Sequence, residues 1–214
     1  MTLRNTSWSY GAVARTLHWV IAALIVGLLI VGWTMEDAPQ ESKYFIYTMH
    51  KSFGLLLLLL VLCRIVWRVA DRPPPPAPEI PRLLNILAHL GHFGLYVLML
   101  AMPLSGWLLN SAAGRPLNWF MQEGWVVPSL TSGLAGGNNP LISGWMLNLY
   151  TLLAEDEITS PPTLRDFSGM VHELLAIAIV ALVIVHAGAA LYHHFVRRDN
   201  TLARMTPFVK PPHG

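Results

Sequence analysis

The chain has 214 residues, of which 54% are hydrophobic and 12% are charged, and its formal net charge at pH 7 is +2. Because soluble globular domains carry about 25% charged residues, this composition, with a mean hydropathy of +0.48, excludes an ordinary water-soluble domain and indicates a membrane protein. Cys63 is the only cysteine, which excludes internal disulfides, covalent c-type haem attachment and iron–sulfur clusters held by cysteines.

Four apolar segments are long enough to cross a bilayer, whose hydrocarbon core of ~30 Å needs about 20 helical residues. They occupy about 15–35, 45–69, 84–109 and 168–195. The first ends in "VGWTMEDAP", which has no small-residue cleavage site, so we expect a retained helix rather than a signal peptide. We therefore predict an all-α fold, a four-helix transmembrane bundle that forms a single membrane-embedded domain over residues 1–214.

Lysine and arginine are distributed unevenly between the segments that flank these spans. If the N-terminus is cytoplasmic, ten of the fourteen basic residues lie on the cytoplasmic side. Only four then lie outside: Lys43, Lys51, Arg115 and Arg165. Since short cytoplasmic loops carry the excess of basic residues, we predict a multi-pass protein whose N- and C-termini are both cytoplasmic.

The connections between the spans differ in kind. Residues 70–82, "ADRPPPPAPEIPR", predict a stiff, non-helical inner linker. The third connection, about 110–167, is long and lies outside. Within it, Leu147, Tyr150 and Leu153 recur at helical spacing, which fits either an amphipathic helix on the outer membrane surface or a packed loop helix.

Histidines occur in the apolar segments at paired depths. His172 and His186 are separated by 14 residues, which is nearly four helical turns, so they share one face about 21 Å apart along the axis. His50 matches the depth of His172 on the outer side, and His18 matches His186 on the inner side. Ionisable groups inside a membrane are costly and usually functional, and neutral imidazole is a common axial ligand of haem iron. We therefore predict two bis-histidine b-type haems, one in each layer.

Other residues at these depths bear on the same prediction. Gly32 is level with the outer layer, where a missing side chain leaves room for a flat macrocycle. Arg64 is level with the inner layer, where it can face a haem propionate through charge-assisted hydrogen bonds. Depth alone leaves a second ligand assignment open, in which His89 or His92 replaces His18.

Several strings in the chain resemble the prokaryotic cytochrome b561 family. They are "TLHWV", "MHKSFG", "LAHLGHFGLYVLMLAMPLSGW" and "VHAGAALYHHFVRRDNTLARMTP". The resemblance covers nearly the whole chain except the 110–167 connection, which looks longer than is usual in the family. It implies a di-haem cytochrome of the bacterial inner membrane that exchanges electrons with the quinone pool. By motif, the axial iron ligands carry over to His18, His50, His172 and His186.

The resemblance is strongest to members that oxidise superoxide and reduce ubiquinone. It implies an enzyme, a superoxide:quinone oxidoreductase, with electrons entering at the outer haem and leaving to ubiquinone near the inner one. His89 and His193 are the candidate quinone-binding residues, because an imidazole there could donate a hydrogen bond and a proton to a quinone carbonyl.

Two other functions remain open at this point. One is a cytochrome b subunit that links a partner dehydrogenase, hydrogenase or soluble cytochrome to the quinone pool. The other is a haem-free membrane protein, such as a metal transporter, although a metal site would gather three or four ligands at one depth. The expected partners are therefore membrane lipid, quinone, and superoxide or a redox partner protein, with no nucleic acid.

Overall fold

The computed structural model describes residues 2–75, 82–131, 144–153 and 162–206. This part of the chain is mostly helical. Its helices are α1 (Ala12–Thr34), α2 (Gln40–Ala70), α3 (Arg82–Ala112), α4 (Gly144–Leu153), α5 (Leu164–Tyr192) and α6 (Thr201–Met205). Short turns of 3₁₀-helix cover Met35–Asp37 and Trp119–Met121, and a π-helical turn covers His193–Arg197. Two short antiparallel strands, β1 (Leu117–Asn118) and β2 (Val126–Val127), pair with each other.

The prediction of four apolar spanning helices is confirmed. Each of α1, α2, α3 and α5 is long and apolar enough to cross a membrane, and only 11% of the most apolar window of each is buried. A helix satisfies its own backbone hydrogen bonds, which is what a hydrocarbon environment requires. The exposed apolar surface indicates that these helices contact lipid.

The helices extend beyond the predicted spans. Helix α2 begins at Gln40 rather than near residue 45, because its polar first turn is helical although it lies outside the apolar window. Helix α3 contains Pro103 in its interior, and it ends before Gly114, whose φ of 64° suits a left-handed helix terminus.

The predicted connections are only partly within the described residues. Residues 71–75 of the proline-rich linker are non-helical, as predicted, and residues 76–81 lie outside the described part. In the long connection, α4 forms the helix predicted from residues 147, 150 and 153; its placement on the membrane surface stays a prediction. Residues 132–143 and 154–161 of that connection also lie outside the described part.

The chain divides into two compact units, and α1, α2, α3 and α5 contribute residues to both. The His18 unit takes its described residues from Met1–Ile25, Leu59–Met99 and Ala178–Gly214. The His50 unit takes them from Val26–Leu58 and Leu100–Ile177. Each histidine pair predicted from the sequence therefore falls within one unit.

Hydrogen bonds between distant segments hold the His18 unit together. The Arg204 guanidinium in α6 donates from Nε to the Trp8 carbonyl at 2.9 Å and from Nη2 to the Pro75 carbonyl at 2.8 Å. The indole of Trp19 in α1 donates to the Met205 carbonyl at 3.1 Å. These contacts join three parts of the chain to α6: the segment before α1, α1 itself and the segment after α2.

In the His50 unit, the turn between the two strands is anchored on α2. The Trp119 indole donates to the Ser52 carbonyl at 3.1 Å, and the Phe120 amide donates to the Ser52 hydroxyl at 2.9 Å. Phe120 and Met121 have φ values of 51° and 60°, a left-handed backbone conformation that residues other than glycine seldom adopt. Ser52 is fully buried and lies two residues after His50. It therefore holds the strained turn at Trp119–Met121 against the helix that carries His50.

Candidate functional site: two histidine pairs

The first histidine pair lies in the His50 unit. His50 on α2 and His172 on α5 approach each other with their ring centroids 6.5 Å apart and their planes at 77°. Both side chains are partly buried. The structure thus brings together the two residues that the sequence placed at one depth.

The second pair lies in the His18 unit. His18 on α1 and His186 on α5 have ring centroids 6.2 Å apart and planes at 72°. His92 on α3 also approaches this pair, with its ring centroid 5.2 Å from that of His186. Three imidazoles therefore come together at this pair, whereas two come together at the His50–His172 pair.

The separations can be compared with those of two imidazoles that bind one metal ion from opposite sides. Metal–nitrogen bonds of about 2.0 Å and nitrogen-to-centroid distances of about 1.1 Å on each side place such ring centroids about 6.2 Å apart. The His18–His186 and His50–His172 separations fit this value, and the His92–His186 separation is too short. Ring spacing therefore favours His18 over His92 as the partner of His186.

The search for other metal sites concerns the part of the chain that the structure describes. Within the described residues, no group of three or more histidine, cysteine, aspartate or glutamate side chains is arranged to hold a metal ion. Donors that come as opposed pairs of imidazoles fit a metal whose other ligands are supplied by a planar cofactor, which is the chemistry of haem iron.

Two glycines lie close to the imidazoles of the first pair. A Cβ atom added to Gly32 of α1 would lie 3.3 Å from Cε1 of His50, and one added to Gly106 of α3 would lie 2.9 Å from Cε1 of His172. Gly32 is thus level with the His50–His172 pair, as predicted, and the room that it leaves is taken by the His50 imidazole. The two helices that supply no histidine to this pair each supply a glycine beside one of its rings.

Ser105 of α3 contacts the same pair through a hydrogen bond. Its Oγ lies 2.9 Å from Nδ1 of His172 and 2.7 Å from the Met102 carbonyl oxygen. Since the carbonyl can only accept, the hydroxyl donates to Met102 and its oxygen accepts from the Nδ1–H of His172. This fixes the tautomer that leaves Nε2 free as a metal ligand. Nδ1 of His50, by contrast, is buried without a hydrogen-bond partner in the part of the chain that the structure describes.

Arg64 of α2 lies in the His18 unit. Its Nη1 donates to the Ala14 carbonyl, one turn before His18, at 3.1 Å, and its Nε donates to the Tyr96 hydroxyl at 3.2 Å. A pocket beside it is also lined by Trp67 and Arg68.

The donors of that pocket suit a carboxylate. The indole nitrogen of Trp67 is buried without a partner, and the Arg68 guanidinium lies 5.8 Å from the Tyr96 ring centroid. Cationic and N–H donors that face a shared cavity are the groups that bind carboxylates through charge-assisted bonds. Asp71 lines the same pocket. A haem propionate at Arg64 therefore stays a prediction.

The two predicted quinone-binding histidines are each held by a local partner. Nδ1 of the exposed His89 donates to the Asn85 carbonyl at 2.7 Å. His193 begins the π-helical turn after α5, and its Nδ1 lies 2.5 Å from a carboxylate oxygen of Asp199. Among the hydrogen bonds and ring contacts of the described residues, none joins His89 to His193.

Asp199 is itself held by several donors. Burial raises the pKa of its carboxyl group, but hydrogen bonds from His193 and Thr201 outweigh burial and leave the pKa below its ordinary value. The carboxylate is therefore ionised at neutral pH, and it fixes the orientation of the His193 ring while leaving Nε2 available.

Ser105 and Gly106 were missed by sequence reasoning. The only signal was the dipeptide "SG", two small residues inside an apolar segment of α3. Small residues are common in transmembrane packing for other reasons. Which helix face they occupy depends on the rotation of α3, and no spacing within α3 reveals it.

Comparison with known proteins agrees with this geometry. The model of the prokaryotic cytochrome b561 family matches residues 9–208. The chain belongs to this family. The four spans and both histidine pairs fall inside the matched region.

Individual members of the family are similar over nearly their full length. Cytochrome b561 homolog 2 of Escherichia coli (strain K12) is 31% identical over 207 residues, which cover 96% of this chain and 95% of that protein. Cytochrome b561 homolog 1 of the same strain is 28% identical over 202 residues, covering 89% and 93%. A probable superoxide oxidase CybB of Yersinia pestis is 26% identical over 202 residues, covering 92% and 96%.

Membership of the cytochrome b561 family assigns a general function to the chain. It is a multi-pass membrane protein of a family that transfers electrons across the membrane, and the family implies binding of b-type haem. The paired imidazoles provide the donor set that such haem requires.

Proposed function

We propose that this cytochrome carries electrons across the bacterial inner membrane through two b haems, one held by His50 and His172 and the other by His18 and His186. The observation that supports this most is the pair of ring separations, 6.5 Å and 6.2 Å, both close to the ~6.2 Å spacing of opposed imidazoles on one metal. Bound haem supplies the one-electron redox chemistry; the chain supplies ligands, burial and charge.

Arg64 is proposed to hold a propionate of the haem at His18 and His186. It is anchored next to α1 by its bond to the Ala14 carbonyl, and it lines a pocket together with Trp67, Arg68 and Asp71. A guanidinium held in place loses less side-chain entropy on binding a carboxylate than a free one.

The electron donor is proposed to be superoxide, at the outer face near the His50–His172 pair. Two superoxide anions each lose one electron and become O₂, and two electrons with two protons convert one ubiquinone into ubiquinol. Support comes from the similarity to the probable superoxide oxidase CybB and from Lys51, beside His50, and the exposed Arg165. Cations at this face attract an anionic substrate. The assignment of faces rests on the excess of basic residues predicted for the cytoplasmic side.

The quinone is proposed to be reduced near the His18–His186 pair, with His193 and His89 as binding residues. Asp199 engages Nδ1 of His193, so Nε2 is the nitrogen that can donate a hydrogen bond and a proton to a quinone carbonyl. The Asn85 carbonyl engages Nδ1 of His89 in the same way, so its Nε2 is the nitrogen that can meet the other carbonyl.

The alternative is an electron-transfer subunit that receives electrons from a partner protein. The long connection favours this function, because its described parts expose large apolar side chains. Trp125 is 60% exposed and Trp145 is 64% exposed. Exposed aromatic side chains are typical of interaction surfaces and also of membrane interfaces.

The experiment that tests the proposal is haem quantitation on detergent-purified protein, followed by anaerobic addition of superoxide with a soluble ubiquinone analogue. We expect two haems per chain, and one in each of the variants H50A and H186A. Wild-type protein should pass electrons from superoxide to quinone, and both variants should fail to do so. Two haems that superoxide does not reduce would favour the partner-fed subunit, and protein without haem would contradict the proposal itself.

A further inference from the structure

We infer that Ser105 is a positioning residue that sets the reduction potential of the haem held by His50 and His172. This inference rests on the proposed haem ligation. It concerns α3, the helix that supplies no axial ligand in either proposed pair, and it assigns that helix a control function in the electron-transfer chain.

The hydrogen bonds of Ser105 have a defined direction. Its hydroxyl donates to the Met102 carbonyl at 2.7 Å, and its oxygen accepts from Nδ1–H of His172 at 2.9 Å. Ser105 is buried, with 9% of its surface exposed, so water does not readily replace its hydroxyl as the acceptor. The proton on Nδ1 of His172 is therefore held by a group that the fold keeps in place.

The neighbouring glycine limits the same ring from a second direction. A Cβ atom at Gly106 would lie 2.9 Å from Cε1 of His172, so the backbone of α3 is in contact with the imidazole edge. Ser105 holds the ring by hydrogen bonding while Gly106 restricts it by close approach. Two successive residues of α3 thus determine where the His172 ring lies.

The other ligand of this pair lacks such a partner. Nδ1 of His50 is buried, and no group of the described residues forms a hydrogen bond with it. The hydrogen-bonded partner that metal-ligating histidines almost always have is therefore present on one side of the proposed iron only. Changing Ser105 acts on that one ligand.

The expected effect has a definite sign. A hydrogen bond from Nδ1–H to an acceptor makes the imidazole a stronger donor to the metal, and a stronger donor stabilises ferric over ferrous iron. Loss of the serine acceptor leaves, among the described residues, only the Met102 carbonyl to accept from His172. The ring is then a weaker donor to the metal, and the reduction potential of this haem should rise. We expect the ferrous-to-ferric ratio at a fixed ambient potential to rise three- to tenfold, where tenfold corresponds to ~59 mV for a one-electron couple.

The test is a spectroscopic redox titration of purified S105A, S105T and S168A holoprotein. The component that belongs to the His50–His172 haem is identified as the one missing from H50A. S105A should shift this component to higher potential and leave the other in place, and S105T should restore it. Ser168 is the matched control, because it is buried on α5 and donates to the Leu164 carbonyl at 2.7 Å, with no hydrogen bond to a histidine among the described residues; S168A should shift neither component.

The outcomes separate this inference from the proposed ligation. Wild-type protein without two haems would contradict the ligation, whatever Ser105 does. Two haems with unshifted potentials in S105A would overturn the role of Ser105 and leave the ligation intact. If S105A does not assemble, S105C is titrated instead, since its thiol is a weak acceptor; a smaller shift in the same direction supports the inference, and no shift overturns it.

Discussion

The two histidine pairs present the same ligands in different surroundings. Near His18 and His186 lie a third imidazole, His92, and the guanidinium of Arg64, which bonds one turn away from His18. His50 and His172 instead have two glycines and one serine hydroxyl beside their rings, and the cation of Lys51 acts on His50. A nearby positive charge favours the reduced, less positive haem, and a strong imidazole donor favours the oxidised one.

This difference predicts a direction for the proposed electron path. With haem bound at both pairs, the hydrogen bond of His172 would lower the potential of the haem at His50 and His172, and the Arg64 cation would raise that of the haem at His18 and His186. Where these two effects exceed that of Lys51, electrons that enter at the first pair would move towards the second without an opposing difference in potential. The lesson is that two sites with identical ligands can be distinguished by the groups around them.

The largest expected effect comes from removing a ligand of the second pair. H18A should lose one of two haems, because the distance between the His18 and His186 ring centroids matches that of two imidazoles that bind one metal from opposite sides. H92A should keep both, because the His92 ring lies too close to His186 to share a metal with it. The haem content of the purified variants decides between them. If H92A contained one haem and H18A contained two, His92 rather than His18 would be assigned as the partner of His186.

The next effect comes from filling the glycine positions around the first pair. G106A should displace the His172 ring, because the added Cβ would lie 2.9 Å from it, and overpacking of this kind costs about 1–3 kcal/mol. We expect loss or spectral change of the His50–His172 haem only. G32A, with a contact of 3.3 Å to His50, should have a smaller effect.

Gly27 of α1 provides the control for these substitutions. A Cβ atom there meets nothing within 4 Å, so G27A should keep both haems with unchanged absorption spectra. An equal loss of haem in G27A and G32A would mean that glycine is required in α1 for a reason other than contact with His50.

A smaller effect is expected from removing the charge beside the second pair. R64Q should lower the potential of the His18–His186 haem, because it removes a cation that favours the reduced state. The ferrous-to-ferric ratio should fall by up to about tenfold at a fixed potential, or ~59 mV. R68Q removes a guanidinium one helical turn further along α2 and should shift the reduction potential of this haem less. An upward shift in R64Q would contradict a charge effect.

The smallest effect concerns Asp199, whose pKa is held below its ordinary value by hydrogen bonds from His193 and Thr201 that outweigh burial. A lowered pKa stabilises the folded state at neutral pH, and this contribution is lost as the pH falls through the folded pKa. The thermal stability of wild-type protein should therefore decline in acid more than that of D199N. Melting curves measured between neutral pH and pH ~3 test this, and parallel declines would argue against it.

Sequence reasoning predicted what lies along a single helix. The spans followed from apolar length, and His172 and His186 followed from a 14-residue spacing within α5. The contacts of α3 could not be predicted, since the approach of His92 to His186 and of Ser105 to His172 depends on how α3 is rotated against its neighbours. The strands β1 and β2 were also missed, because two-residue strands are too short to show alternation.

The near-perpendicular imidazole planes, at 72° and 77°, have a magnetic consequence. Each axial imidazole interacts through its π electrons with the iron d orbital that its plane selects. Parallel rings act on one orbital and separate it from its partner, whereas crossed rings act on both equally and leave them nearly equal in energy. A ferric ion with two nearly degenerate d orbitals retains orbital angular momentum, so haems held as proposed should give strongly anisotropic low-spin electron paramagnetic resonance signals, observable in unfractionated membranes.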